Sequence, residues 1–92
     1  MINIKQDEST DPMVFDVTIE ENNGTTQHRV LMSLADYNNI FNKIHDPVTC
    51  IDAAFRFLLE RESKESILSR FDIKVISNYF PEFAQEIASY LE

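Results

Sequence analysis

The side chains able to do chemistry are few and scattered. Cys50 is the single cysteine of the 92-residue chain, and His28 and His45 are its two histidines. A metal reading would join His28, His45 and Cys50 with Asp46 or Asp52. The spacing from His45 to Cys50 is not a recognised ligand pairing, however, and His28 falls on a separate predicted element. The simpler reading is a cross-strand packing histidine, a loop histidine and a buried thiol. A thiol-enzyme reading centres on Cys50, in the first turn of a predicted helix whose dipole would lower a thiol pKa, with His45 close in sequence. Position 50 also lies on the apolar arc of that helix, which favours packing. No G-x-S-x-G or comparable elbow frames a serine, and a lone glycine excludes a glycine-rich phosphate loop. No catalytic residue, cofactor site or metal site is expected, and the enzyme centred on Cys50 is the weaker alternative.

Charge narrows the partners. Sixteen acidic and eight basic residues leave a formal net charge of −8. Nucleic-acid binding depends on clustered Lys and Arg that release counterions, and docking to an anionic membrane needs the same. Both are disfavoured. A helix-turn-helix can be drawn over residues 65–80, with Lys74, Ser77 and Asn78 aimed at base edges. It lacks the basic charge and turn glycine usual in that class, so two core helices explain the segment better. One cysteine permits no internal disulfide and fits a reducing compartment. No apolar run approaches the ~18 residues of a spanning helix. The expectation is a cytoplasmic, soluble protein.

Aromatic residues supply the strongest interaction signal. Tyr79-Phe80-Pro81-Glu82-Phe83 precedes a short helix carrying Ile87 and Tyr90. Such residues are enriched at interface cores, and Tyr79, Phe80, Phe83, Ile87 and Tyr90 form the candidate interface. The competing reading, completion of the core, is favoured by the general tendency of Phe to be buried.

The elements that must position these residues follow from periodicity. At 43% hydrophobic residues, the chain has the composition of one folded domain spanning residues 1–92. Residues 1–11 read as a short edge strand at Ile2 and Ile4, then a mobile, partly disordered polar loop. Residues 13–32 read as a β-hairpin: Met13, Phe15, Val17 and Ile19 alternate with Val14, Asp16, Thr18 and Glu20. Asn23-Gly24 suits a two-residue turn with positive φ at both centres. Counting outward from Asn22:Thr25 pairs Val17 with Val30, Phe15 with Met32 and Ile19 with His28.

Residues 33–91 read as helical. Ser33 with Asp36 predicts one helix start, with Leu34, Tyr37, Phe41 and Ile44 as its stripe and an end before Asp46-Pro47. Thr49 with Asp52 predicts a second start. The helix beyond it carries Cys50, Ile51, Ala54, Phe55, Phe57, Leu58 and Leu59 over an arc of roughly 200°, so it is the expected spine. Three short helices follow: Lys64 to Phe71 with Ile67, Leu68 and Phe71 inward, Ile73 to Tyr79, and a last one after Pro81. The fold class is α+β, an antiparallel hairpin or three-stranded sheet packed against about four C-terminal helices, with no alternating βαβ units.

The strings FRFLLERESKESIL, FDIKVIS and YFPEF, with Gln27-His28-Arg29-Val30 in the hairpin, resemble a small family of uncharacterised bacterial proteins of about this length. The resemblance is strongest over residues 55–83. It implies a freestanding cytoplasmic bacterial domain and brings no catalytic residues with it. The expected function is a non-enzymatic protein–protein interaction module, with a homodimer among the expected assemblies.

Overall fold

Alternation builds the first third of the chain into a sheet. The computed structural model describes residues 1–21, 23–42 and 44–91. Strands β1 (Ile2–Glu8), β2 (Met13–Glu21) and β3 (Gly24–Met32) form an antiparallel meander. A fourth strand, β4 (Arg70–Asp72), joins β3 in parallel, giving the order β1-β2-β3-β4. Met13, Phe15, Val17 and Ile19 of β2 and His28, Val30 and Met32 of β3 are buried on one face. The other face is polar apart from the half-buried pair Val14 and Leu31, and Arg29 bridges Asp7 and Asp16 across it at 2.7 Å each.

The hairpin register differs from the predicted one by two residues. Val17 pairs with His28, Phe15 with Val30 and Met13 with Met32. An even shift keeps every side chain on its predicted face, since the side-chain period is two. Glu21 pairs with Gly24, and the positive φ belongs to Asn23 (63°), not to Gly24. The predicted Asn22:Thr25 pair falls on Asn22, outside the described residues. A Cβ at Gly24 would stand 3.5 Å from Lys64 Nζ, an ordinary contact with the end of a long side chain. Strand β1 also runs further than expected, through the polar stretch to Glu8, with a bulge between Gln6 and Glu8.

Helix α1 (Leu34–Phe41) starts as predicted, with the Ser33 hydroxyl accepting from the Asp36 N–H at 3.0 Å. It stops earlier than predicted. Asn42 adopts the left-handed conformation (φ 57°) and returns its N–H to Asn38, a common helix termination. Ile44, assigned to the buried stripe, is therefore exposed. Helix α2 (Pro47–Leu59) starts at Asp46-Pro47, not at Thr49. The Asp46 carboxylate accepts from the Thr49 N–H at 2.8 Å, and proline suits the first helical position. The same dipeptide that ends one helical pattern begins the next. α2 is the spine, with Cys50, Ile51, Ala53, Ala54, Phe55, Phe57 and Leu58 all buried.

The largest correction concerns residues 63–73. The predicted helix from Lys64 to Phe71 is a 3₁₀ turn at Lys64–Ser66 followed by β4. β3 captures this segment. The Arg29 N–H donates to the Ser69 carbonyl and the Ile73 N–H to the Leu31 carbonyl, both at 2.8 Å. His28 Nδ1 donates to the Leu68 carbonyl at 2.8 Å, and Nε2 lies 2.9 Å from the Thr26 hydroxyl. A helix cannot compete once a strand edge satisfies these backbone groups. β3–α1–α2–β4 is thus a parallel crossover, the kind of unit the sequence pattern excluded. Helices α3 (Val75–Tyr79) and α4 (Phe83–Glu86) and a 3₁₀ turn at Ile87–Tyr90 complete the chain.

Candidate functional site

Where α2 ends, its last residues separate two environments. The N–H groups of Arg61 and Glu62 both donate to the Leu58 carbonyl at 2.9 Å and close the helix. Arg61 reaches α4, pairing with Glu82 at 3.0 Å and Glu86 at 2.7 Å. Glu62 instead borders an open groove of about 160 Å³ between α2, the 3₁₀ turn, β4 and α3. Leu58, Ile67, Phe71 and Ile76, all buried, form its floor. Val75 and Phe80 are half-buried on its wall, while Leu68 (46% exposed) and Tyr79 (66% exposed) stand on its rim.

Glu62 is the charged residue in the lining of this groove. Burial raises its carboxyl pKa above the ordinary value. No ion pair among the described residues uses it. The groove therefore combines an apolar floor with a half-buried carboxylate that lacks a cation.

The structure divides the five predicted interface residues. Phe83 and Ile87 are core: Phe83 packs edge-on against Phe57 at 5.0 Å and Phe41 at 6.5 Å between ring centroids. They offer no surface in the folded chain. Tyr90 is half-buried, its hydroxyl donating to Glu60 at 2.8 Å and accepting from Arg61 at 3.3 Å. Phe80 stacks edge-on to Phe57 at 6.0 Å and shows its other side to the groove. Tyr79 alone is largely exposed. Leu58, Glu62, Leu68, Phe71, Val75 and Ile76 were not singled out from the sequence as a site. The helix predicted over 64–71 turned Leu68 inward, whereas Leu68 lies in the connection between the 3₁₀ turn and β4 and is exposed.

The chemical candidates resolve by burial and distance. Cys50 is fully buried, its Sγ 3.8 Å from the His45 carbonyl. Burial, assisted by the charge of Asp46, pushes its thiol up to about 12, so the nucleophilic thiolate is absent at neutral pH. The Tyr37 hydroxyl donates to the same carbonyl, so His45, Cys50 and Tyr37 form a packing joint between α1 and α2. Among the described residues no group of three or more His, Cys, Asp or Glu is placed to hold a metal. Over residues 65–80 the first helix of the helix-turn-helix does not form, and α3, with Ser77 and Asn78, is five residues long. No helix among the described residues is long and apolar enough to cross a membrane. Comparison with protein-family models, with curated proteins and with solved structures found no match to this chain.

Proposed function

We propose that this chain is a non-enzymatic protein-interaction module whose groove beside α3 receives an apolar side chain from a partner protein, with a Lys or Arg of the partner over Glu62. The observation that carries this reading is the pairing of an apolar floor, left open between Leu68 and Tyr79, with a half-buried carboxylate that has no cation among the described residues. Cavities of ~150 Å³ hold a benzene, so the space suits one phenyl or branched aliphatic anchor. The net charge of −8 favours a basic partner, through steering and through Glu62 itself. A nucleic-acid partner is disfavoured by the same charge. The lone buried thiol fits a reducing compartment, and on that ground we assign the module to the cytoplasm.

Selection of displayed random peptides on the wild-type protein tests this reading. Enriched peptides should carry an apolar anchor near a basic residue. They should lose at least ~10-fold in affinity, about 1.4 kcal/mol, on Leu68→Ser or Tyr79→Ser, with melting unchanged. Glu62→Gln should weaken the basic peptides and reduce the salt dependence of binding. Peptides that bind these variants as tightly as wild type would place the interaction elsewhere.

A further inference from the structure

Strand β1 is an edge of the sheet, and its unpaired side can be assigned atom by atom. Met1 and Glu20 exchange both backbone hydrogen bonds, Met1 N to Glu20 O at 2.7 Å and Glu20 N to Met1 O at 2.9 Å. Bonded pairs alternate along an antiparallel ladder, so the groups of Asn3 and Lys5 face β2. Those of Ile2, Ile4 and Gln6 point out of the sheet, where no further strand lies among the described residues. The same three residues sit on the core face, with Ile2 and Ile4 half-buried at its margin.

We propose that this edge pairs with β1 of a second copy of the chain, antiparallel about a two-fold axis at Ile4, joining the two four-stranded sheets into one. That register is the self-complementary one. Ile4 meets Ile4, Ile2 meets Gln6 in both directions, and every outward N–H and C=O of the three residues finds a partner. Ile2 and Ile4 gain cover from the second copy. On the solvent face Lys5 lies opposite Asn3. Moving the axis to Lys5 would set two lysines directly opposite, which is destabilising, and would carry the pairing past the bulge between Gln6 and Glu8. Moving it to Asn3 would set Ile2 opposite Ile4 and carry Gln6 past the three outward-facing residues of the second copy. The opposite edge, β4, is only three residues long, so the contact closes as a dimer and does not propagate as a fibre. The groove lies at the β4 side, so the dimer leaves it free and carries one groove at each end of the joint sheet. This pairing does not depend on what the groove binds.

Proline substitution separates the two sides of the strand. Ile4→Pro removes an N–H that has no partner among the described residues, whereas Lys5→Pro removes one bonded to β2. The wild type should show twice the monomer mass by sedimentation equilibrium at high protein concentration. Ile4→Pro should return it to monomer with melting temperature near wild type, while Lys5→Pro should lower that temperature sharply. Gln6→Pro, outside the core cluster, repeats the test should the half-buried Ile4 side chain prove necessary for folding. In the dimer, amide exchange of Ile2, Ile4 and Gln6 should slow with rising protein concentration. A wild type that stays monomeric into the millimolar range would overturn the proposal. So would a dimer that survives both Ile4→Pro and Gln6→Pro, or one in which those amides exchange freely.

Discussion

Phe57 and Leu58 are neighbours near the end of α2, and they face two regions built on different terms. Phe57 is enclosed. Phe80, Phe83 and Tyr90 surround its ring at centroid distances of 6.0, 5.0 and 5.7 Å, and the Arg61 guanidinium lies 3.7 Å above it. Arg61 in turn binds Glu82, Glu86 and the Phe57 carbonyl, and Arg56 donates to the Tyr90 carbonyl at 2.6 Å. Leu58 faces the groove, where no cation among the described residues pairs with Glu62. The two glutamates show the difference: Glu82 has its pKa lowered, by its own backbone N–H and then by Arg61, while burial raises that of Glu62. One region completes its electrostatics within the chain, and the other, among the described residues, does not.

The largest effect expected from this contrast is on stability. Phe57→Ala should cost about 3–5 kcal/mol in a denaturant titration, because four groups fixed around the ring cannot collapse into the space. Leu58→Ala should cost about 2 kcal/mol, at the low end for a buried leucine, because its cavity opens to the groove. If Leu58→Ala were the more damaging, the division into sealed and open regions would be wrong.

Next comes Arg61→Met, which keeps a long apolar stem over Phe57 but removes the ion pairs and the bond to the Phe57 carbonyl. A loss of about 1–2 kcal/mol is expected, with Arg61→Lys failing to restore it fully, since an ammonium cannot serve two carboxylates and a ring as a planar fork does.

Acid titration sharpens the comparison through its sign. The raised folded pKa of Glu62 means that its ionisation opposes folding, so this cost is relieved as pH falls through that pKa and is gone below the ordinary glutamate value. Glu82 acts oppositely: its stabilisation is present above the ordinary value and is lost as pH falls through its lowered pKa. Melting temperatures across pH should show Glu62→Gln most favourable near neutrality, with wild type catching up on acidification. Glu82→Gln should be unfavourable at neutrality and converge with wild type only at more acidic pH. Identical profiles for the two variants would remove the electrostatic half of the contrast.

The smallest effects belong to the groove rim. Leu68→Ser and Tyr79→Ser should change stability by no more than about 0.5 kcal/mol, as exposed positions do. A loss several times larger in either would make that residue core and close the groove as a binding surface.

Legibility in the sequence followed the range of the forces involved. The strand faces were readable because alternation at Met13, Phe15, Val17 and Ile19 depends only on neighbours. So was the Ser33 cap, which acts across three residues, and the width of the α2 arc. The groove was not readable. Its floor joins Leu58 of α2 to Phe71 of β4, and β4 exists because of contacts such as the bond between His28 and Leu68, forty residues apart. Local propensity over ESILSRF favoured a helix, and β3 overrode it.

The chain by itself therefore determined the α+β class, the buried face of each long strand and the spine helix, because periodicity and capping are local. Tertiary structure decided the rest. Parity fixes which face is buried but cannot tell a register from one shifted by two residues, so packing and the turn at Asn23 chose between them. Asp46-Pro47 could end one helix or begin another; α1 already ends at Asn42, so the dipeptide caps α2. Whether an apolar residue seals a core or rims a groove depends on what distant segments bring over it. Phe83 received a lid of aromatic rings, and Leu68 did not.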